Sequence, residues 1–94
     1  MTDPIAPYDW DESKRAANTA AHRIDFTAVY AFDWDTAVIV LDDREDYGEL
    51  RENAIGFVGE RLHVLTFTRR GEAIRVISLR RAENKDKKIY VEAR

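Results

Sequence analysis

Hydrophobic and polar positions change their spacing near Thr36, and this change divides the chain into two parts. Over about residues 10–22, small and apolar side chains recur at the three- and four-residue intervals of a helix. Asp9 precedes this segment with an acid three residues later, a pattern typical of a helix N-cap. Asp25 is a second N-cap candidate, which predicts a short second helix over about residues 26–32.

The chain after Thr36 is rich in β-branched and apolar residues and predicts strands. Four such runs, separated by polar or glycine-containing connections, cover residues 36–41, 51–58, 62–68 and 73–80. Gly59 and Gly71 lie between the last three runs, where tight turns are expected. Good helix formers without a breaker over residues 82–92 predict a final helix. The predicted class is α+β, in the order α-α-β-β-β-β-α, with helices on one face of a four-stranded antiparallel meander.

The 94 residues suffice for one domain with a single modest core. We predict that domain over residues 8–94, after a flexible tail of residues 1–7. No apolar run approaches the roughly 20 residues that cross a bilayer, and the N-terminus lacks a secretory pattern. The expected location is therefore the cytoplasm, without a membrane partner. The absence of cysteine excludes disulfides and thiolate metal sites.

Charge is distributed unevenly along the chain. Residues 1–49 contain 4 basic and 12 acidic side chains, whereas residues 50–94 contain 11 basic and 6 acidic ones. The formal net charge of −3 therefore hides a cationic C-terminal half. Such a half favours a polyanion or an acidic protein as its partner.

Several short motifs, in order along the chain, resemble the BrnT family of toxins. They are residues 10–14 with Asn18, His22 and Phe26, residues 42–49 with Arg51 and Gly56, and residues 75–82 with Tyr90. The resemblance covers about residues 8–90. It implies a RelE-like fold, ribonuclease activity against cellular RNA, and neutralisation by a ribbon-helix-helix antitoxin called BrnA. Contact with DNA would then be indirect, through the antitoxin.

Arg75 and Arg80 are the best candidates for catalysis of RNA cleavage. Without a metal, the reaction needs proton transfers and cations that stabilise the extra charge on phosphorus. The planar guanidinium matches phosphate oxygens and keeps its charge. The alternative is that both arginines are surface residues paired with nearby acids. In a regular strand they point to opposite faces, so they share a site only with a bulge, or if Arg80 lies past the strand end. As an exposed arginine, Arg80 is expected to add little stability.

His22 and Glu49 complete the candidate catalytic set. His22 is a candidate general acid or base because histidine is the residue type suited to proton transfer near neutral pH, but a helix C-terminus favours an imidazolium for structural reasons alone. The resemblance places Glu49 with Arg51 after the turn at Gly48, as an ion pair or as residues that support the site. The acidic run over residues 42–46 lacks calcium-loop spacing, so neither a metal nor another cofactor is predicted.

The remaining candidates are contacts to RNA: Lys14, Arg51, Arg81, Lys85, Lys88 and Tyr90. Arg81, Lys85 and Lys88 recur at helical spacing and form a basic stripe, which either contacts RNA or is a solvated face. Tyr90 either stacks on a base or anchors the last helix in the core. Lys14 and Arg51 enter through the family resemblance.

A second interpretation assigns no catalysis to the chain. The protein would then be a co-repressor that docks on a ribbon-helix-helix protein and tunes its affinity for DNA. The acidic net charge favours this alternative, and so does Ala21-His22-Arg23 where BrnT toxins usually have Lys-His-Gly.

Overall fold

The computed structural model describes residues 7–43 and 48–94. Its helices are α1 (Glu12–His22), a 3-10 helix (Phe26–Ala31) and α2 (Asn84–Ala93). Its strands are β1 (Tyr8–Trp10), β2 (Val38–Asp42), β3 (Arg51–Val58), β4 (Arg61–Arg70) and β5 (Ala73–Arg81). Within these residues the strands form one five-stranded sheet in the order β1-β5-β4-β3-β2. Neither helix α1 nor α2 is long and apolar enough to cross a membrane.

The four predicted strands form the expected antiparallel meander, from β2 through β5. Gly59 and Gly71 adopt positive φ angles of 63° and 59° in the two tight turns, a conformation that glycine adopts without a Cβ clash. The prediction of a four-stranded antiparallel sheet is nevertheless wrong. β1 adds a fifth strand, which pairs in parallel with β5 and makes the sheet mixed.

The start of the first helix differs from the prediction for the same reason. Asp9 lies in β1 between Tyr8 and Trp10, two aromatic residues whose rings pack toward the core. The N-cap of α1 is instead Asp11, whose carboxylate accepts a hydrogen bond from the Ser13 N–H at 2.8 Å. The predicted N-terminal tail lies outside the described residues except for Pro7, whose carbonyl oxygen accepts from the Ile74 N–H.

The main core lies between the sheet and the 3-10 helix. Asp25 caps this helix as predicted, because its carboxylate accepts from the Thr27 N–H at 3.0 Å. Phe26 is fully buried and packs edge-to-face with Trp10, at 5.9 Å between ring centroids. At Gly56 a Cβ would lie 2.7 Å from the Phe32 ring, so β3 needs glycine where the 3-10 helix ends.

Helix α2 lies against the opposite face of the sheet, which contradicts the prediction that all helices share one face. Tyr90 of α2 packs edge-to-face against Phe57, 5.9 Å between centroids. Ile55 and Val64 alternate with core residues along β3 and β4, yet they are also buried. Because these strands are apolar on both faces at this end, both faces need a cover.

β5 contains a bulge at Ile77. Thr66 of β4 pairs with Ser78, whereas the next residue of β4, Phe67, pairs with Val76, so Ile77 has no partner. Val76 and Leu79 are three residues apart and are both fully buried in the same core cluster. The extra residue has therefore shifted the alternation of side chains by one position.

Asn18 joins α1 to β5 beyond the end of β1. Its amide donates to the Leu79 carbonyl oxygen at 2.8 Å and accepts from the Leu79 N–H at 3.1 Å. It also donates to the Ile24 carbonyl oxygen at 3.2 Å, and the residue is only 6% exposed. The side chain thus provides the pairing that a neighbouring strand would otherwise give to Leu79.

Substitution of Asn18 by alanine should destabilise the fold by about 2–4 kcal/mol, since it leaves both backbone groups of Leu79 buried without a partner. Urea unfolding followed by circular dichroism measures this loss. Ala17→Asn is a matched control, because it adds the same amide at an exposed position of the same helix and should cost less than about 1 kcal/mol. A loss no larger in Asn18→Ala than in the control would contradict the role assigned to Asn18.

Candidate functional site

The bulge in β5 places Arg75 and Arg80 on the same face of the sheet. Val76 and Leu79 point into the main core, so the residues that alternate with them point to the opposite face. Ser78 lies between the two arginines on that face, opposite Thr66 of β4. The sequence allowed either a bulge or a position of Arg80 past the end of the strand, and the structure has the bulge.

Arg51 of β3 projects from this same face. Asn53, two residues further along β3, accepts a hydrogen bond from the Thr66 hydroxyl at 2.6 Å, which fixes the side to which these strands point. We call the surface formed by Arg51, Arg75, Ser78 and Arg80 the arginine face. It is polar where α2 does not cover the sheet.

Each arginine of the arginine face has a carboxylate partner. Arg75 lies 3.5 Å from Asp9 of β1, and Arg51 lies 3.6 Å from Glu49. Glu49 also contacts Arg70 at 3.4 Å, so its carboxylate is shared between two guanidinium groups. The predicted pair of Glu49 and Arg51 is present, and Glu49 is held at one end of the arginine face.

The closest pair joins Arg80 to Asp86 of α2. Arg80 Nη1 donates to Asp86 Oδ2 at 2.8 Å, and Nη2 donates to Oδ1 at 3.3 Å. The Asp86 carboxylate also accepts from the Glu83 N–H at 2.8 Å and so caps the first turn of α2. Burial raises the pKa of Asp86, but the hydrogen bonds from Arg80 and Glu83 outweigh burial and hold this pKa below its ordinary value.

The expectation that Arg80 is an exposed arginine of little structural importance is wrong. Its side chain is 26% exposed and that of Asp86 is 8% exposed, so its removal would leave a buried carboxylate without its cation. The guanidinium still has donors for a phosphate. Of its five N–H groups, three are used, two by Asp86 and one by the Arg81 carbonyl oxygen.

A cavity of about 230 Å³ adjoins Arg80 between β2 and α2. Lys85 and Ile89 of α2 line one side of it, and Val40 and Asn53 line the other. Lys85 forms no ion pair with any carboxylate in the described residues. Asp42, Asp43 and Asp86 also line the cavity, which therefore holds two cations, one of them paired, beside three carboxylates.

Other predicted residues lie apart from the arginine face. His22 and Lys14 are exposed on α1, and within residues 7–43 and 48–94 neither side chain forms a hydrogen bond or ion pair. Arg81 follows Arg80 and projects to the other side, where it is exposed, and Lys88 is exposed on α2. The structure thus gathers Arg51, Arg75, Arg80 and Lys85 and separates the rest.

Tyr90 anchors α2. Its hydroxyl donates to the Thr36 carbonyl oxygen at 3.0 Å, and its ring packs against Phe57. The Arg94 guanidinium lies 5.7 Å from the ring centroid. These contacts favour the anchoring alternative for Tyr90 over base stacking.

Sequence reasoning missed Asp9 and Asp86 as members of this site. Asp9 had a signal, since it stands between two aromatic residues in the alternation of a strand. Asp86 also had one, as an acid three residues after a possible N-cap. No cluster of three or more histidine or acidic side chains that could hold a metal occurs in the part of the chain that the structure describes. The acidic run continues through residues 44–47, which lie outside it.

Because the folded-state pKa of Asp86 is lowered, its ion pair should stabilise the protein above the unfolded-state pKa of about 3.9 and be lost in more acidic solution. Asp86→Asn should cost about 2 kcal/mol at pH 7. The difference in the free energy of unfolding between this variant and the original protein should shrink as the pH falls below about 4. Urea unfolding at several pH values measures the difference. Glu92→Gln, at an exposed position of α2, is the control and should show no pH-dependent loss of stability. A stability difference for Asp86→Asn that stays constant down to pH 3 would refute the assignment.

Comparison with known proteins agrees with the family resemblance seen in the sequence. The chain matches the family described as "Ribonuclease toxin, BrnT, of type II toxin-antitoxin system" over residues 10–86, a span that includes the whole arginine face and Asp86. No curated protein matches it. A similar solved structure is the 1.1 Å crystal structure of the Brucella abortus ribonuclease toxin BrnT, with 30% identity and a TM-score of 0.66. The match covers 83% of this chain and 99% of that one. The chain belongs to the BrnT family of ribonuclease toxins of type II toxin-antitoxin systems.

Proposed function

We propose that the protein is a metal-independent endoribonuclease that cuts RNA at the arginine face. The observation that supports this proposal is the bulge at Ile77, which brings Arg75 and Arg80 to one side of β5. Two preorganised guanidinium groups on one surface suit a substrate whose charge lies on successive phosphates. We further propose that the fold is RelE-like and that the protein acts in the cytoplasm.

In the proposed reaction the ribose 2′-oxygen attacks the adjacent phosphorus and the bond to the 5′-oxygen breaks. Arg80, beside Lys85 in the cavity, stabilises the phosphorane, and Arg75 holds a neighbouring phosphate. Glu49 is the candidate base for the 2′-hydroxyl proton and His22 the candidate acid for the 5′-oxygen. Since Glu49 lies at the other end of the arginine face from Arg80 and His22 lies apart from that face, both protons would pass through water. The products are a 2′,3′-cyclic phosphate and a 5′-hydroxyl end.

A toxin of a type II system has an antitoxin partner. We propose that this partner is a BrnA-like ribbon-helix-helix protein and that contact with DNA occurs only through it. The cationic C-terminal half is the surface that suits an acidic region of such a partner.

One observation favours the co-repressor alternative. Every arginine of the arginine face already has a carboxylate partner, so its net positive charge is smaller than the sequence indicates. Incubation of the purified protein with RNA in excess chelator separates the two functions. Cleavage with cyclic phosphate ends supports the enzyme, whereas intact RNA together with antitoxin binding supports the co-repressor.

Arg80→Lys should reduce the single-turnover cleavage rate on the order of 100- to 1000-fold, because lysine lacks the planar fork that matches two phosphate oxygens. Lysine keeps a positive charge beside Asp86, so the melting temperature should change little and the fold is preserved. Arg69→Lys is the matched control, since Arg69 pairs with Glu52 away from the arginine face. Undiminished cleavage by a folded Arg75→Ala/Arg80→Ala double variant would eliminate the arginine mechanism.

His22→Gln should lower the cleavage rate by a smaller factor and flatten its pH dependence between about 5 and 8, if imidazole transfers a proton. Glutamine keeps the hydrogen-bonding capacity of the side chain without its titration. The measurement is the rate of cleavage of one labelled RNA across that pH range. A pH profile identical to that of the original protein would remove His22 from the reaction and leave its role at the helix end structural.

A further inference from the structure

A second cavity lies on the other side of α2 from the arginine face. It measures about 480 Å³ and is formed by the turn between β3 and β4, the end of β5 and α2. Arg81 lines it, whereas Arg80 lines the smaller cavity beside Lys85. The two consecutive arginines therefore border different cavities.

Unpaired positive charge distinguishes this cavity. Arg61, Arg81 and Lys87 all line it, and none of them forms an ion pair with a carboxylate in residues 7–43 and 48–94. Glu60 is the acid that lines it. In contrast, the three arginines of the arginine face are each paired. A cavity with an excess of unpaired cations favours an anionic occupant.

The lining between these cations is apolar. Phe57 and Leu62 contribute from the β3–β4 hairpin, and Tyr90 and Val91 contribute from α2. Val91 is 72% exposed and adds apolar surface to the rim of the cavity. Tyr90 is fixed by its hydrogen bond to Thr36, so this lining is preorganised.

We propose that this cavity, the Arg81 pocket, binds an acidic peptide segment of a partner protein. One apolar side chain of the segment packs on Phe57, Leu62 and Val91, and its carboxylates pair with Arg61, Arg81 and Lys87. RNA suits the pocket less well, because the Tyr90 ring already packs against Phe57 and Arg94 and offers little free surface to a base. The inference rests on the proposed antitoxin partnership for the origin of the segment.

The test uses a random dodecapeptide library displayed on phage and selected on the immobilised protein. Enriched peptides should contain an aliphatic or aromatic residue flanked by Asp or Glu. Their affinity, measured by fluorescence polarisation, should fall at least about 10-fold in Arg61→Glu/Lys87→Glu and should fall with added salt. Arg23→Glu/Lys88→Glu is the matched control, because it makes the same charge change at exposed positions outside the pocket and should leave peptide affinity unchanged.

A labelled RNA dodecamer separates this inference from the proposed catalytic function. Cleavage of that RNA should proceed at the same rate in Arg61→Glu/Lys87→Glu as in the original protein. The inference is overturned if no peptide depends on Arg61 and Lys87, or if the double reversal impairs RNA cleavage instead. Failure of the original protein to cut RNA, with acidic peptides still bound through Arg61 and Lys87, would sink the catalytic proposal and leave the pocket assignment standing.

Discussion

Two hydrogen bonds between the Asn18 amide and the Leu79 backbone hold the edge of β5 that β1 leaves unpaired. They act where β1 has ended and just after the bulge at Ile77, so the strand is supported at its most irregular point. β5 also provides both candidate catalytic arginines. The geometry of the arginine face therefore depends in part on the buried Asn18 amide, which contacts the edge of the same strand. The attachment of α1 therefore supports the arginine face together with the pairing of β5 to β4.

Ion pairing gives the cationic half two kinds of surface. On the arginine face, carboxylates such as Asp9 and Asp86 hold the guanidinium groups in place, which limits their net charge but spares the substrate the cost of ordering them. Around the Arg81 pocket the cations are unpaired, so they present more charge with less fixed geometry. The first arrangement suits chemistry on a phosphate and the second suits attraction of an acidic partner.

Much of the fold could be predicted from residue patterns, because long periodic segments carry strong signals. The bounds of β3, residues 51–58, equal those of the second predicted strand, and the predicted cap at Asp25 is also correct. The strand containing Asp9 was missed because three residues are too few for alternation to outweigh a capping pattern. Apolar positions on both faces of β3 and β4, such as Ile55 and Val64, indicate a cover on each face, and α2 provides the second one.

The candidate site was less predictable, because it depends on contacts distant in sequence. The arginines, Lys85 and the pair of Glu49 and Arg51 could be named from residue type and family resemblance. That Arg80 would be tied to Asp86 could not be named, since it requires the path of α2 across the sheet.

The bulge also changes which features of β5 are constrained. Ile77 has no partner in the adjoining strand, so what the fold requires there is one additional residue rather than a particular side chain. Deletion of that residue would restore regular alternation and bring either the core residues or the arginines to the wrong face. The number of residues in β5 is therefore under stronger constraint than the identity of residue 77. Loss or gain of a single codon in this strand would do more harm than many substitutions.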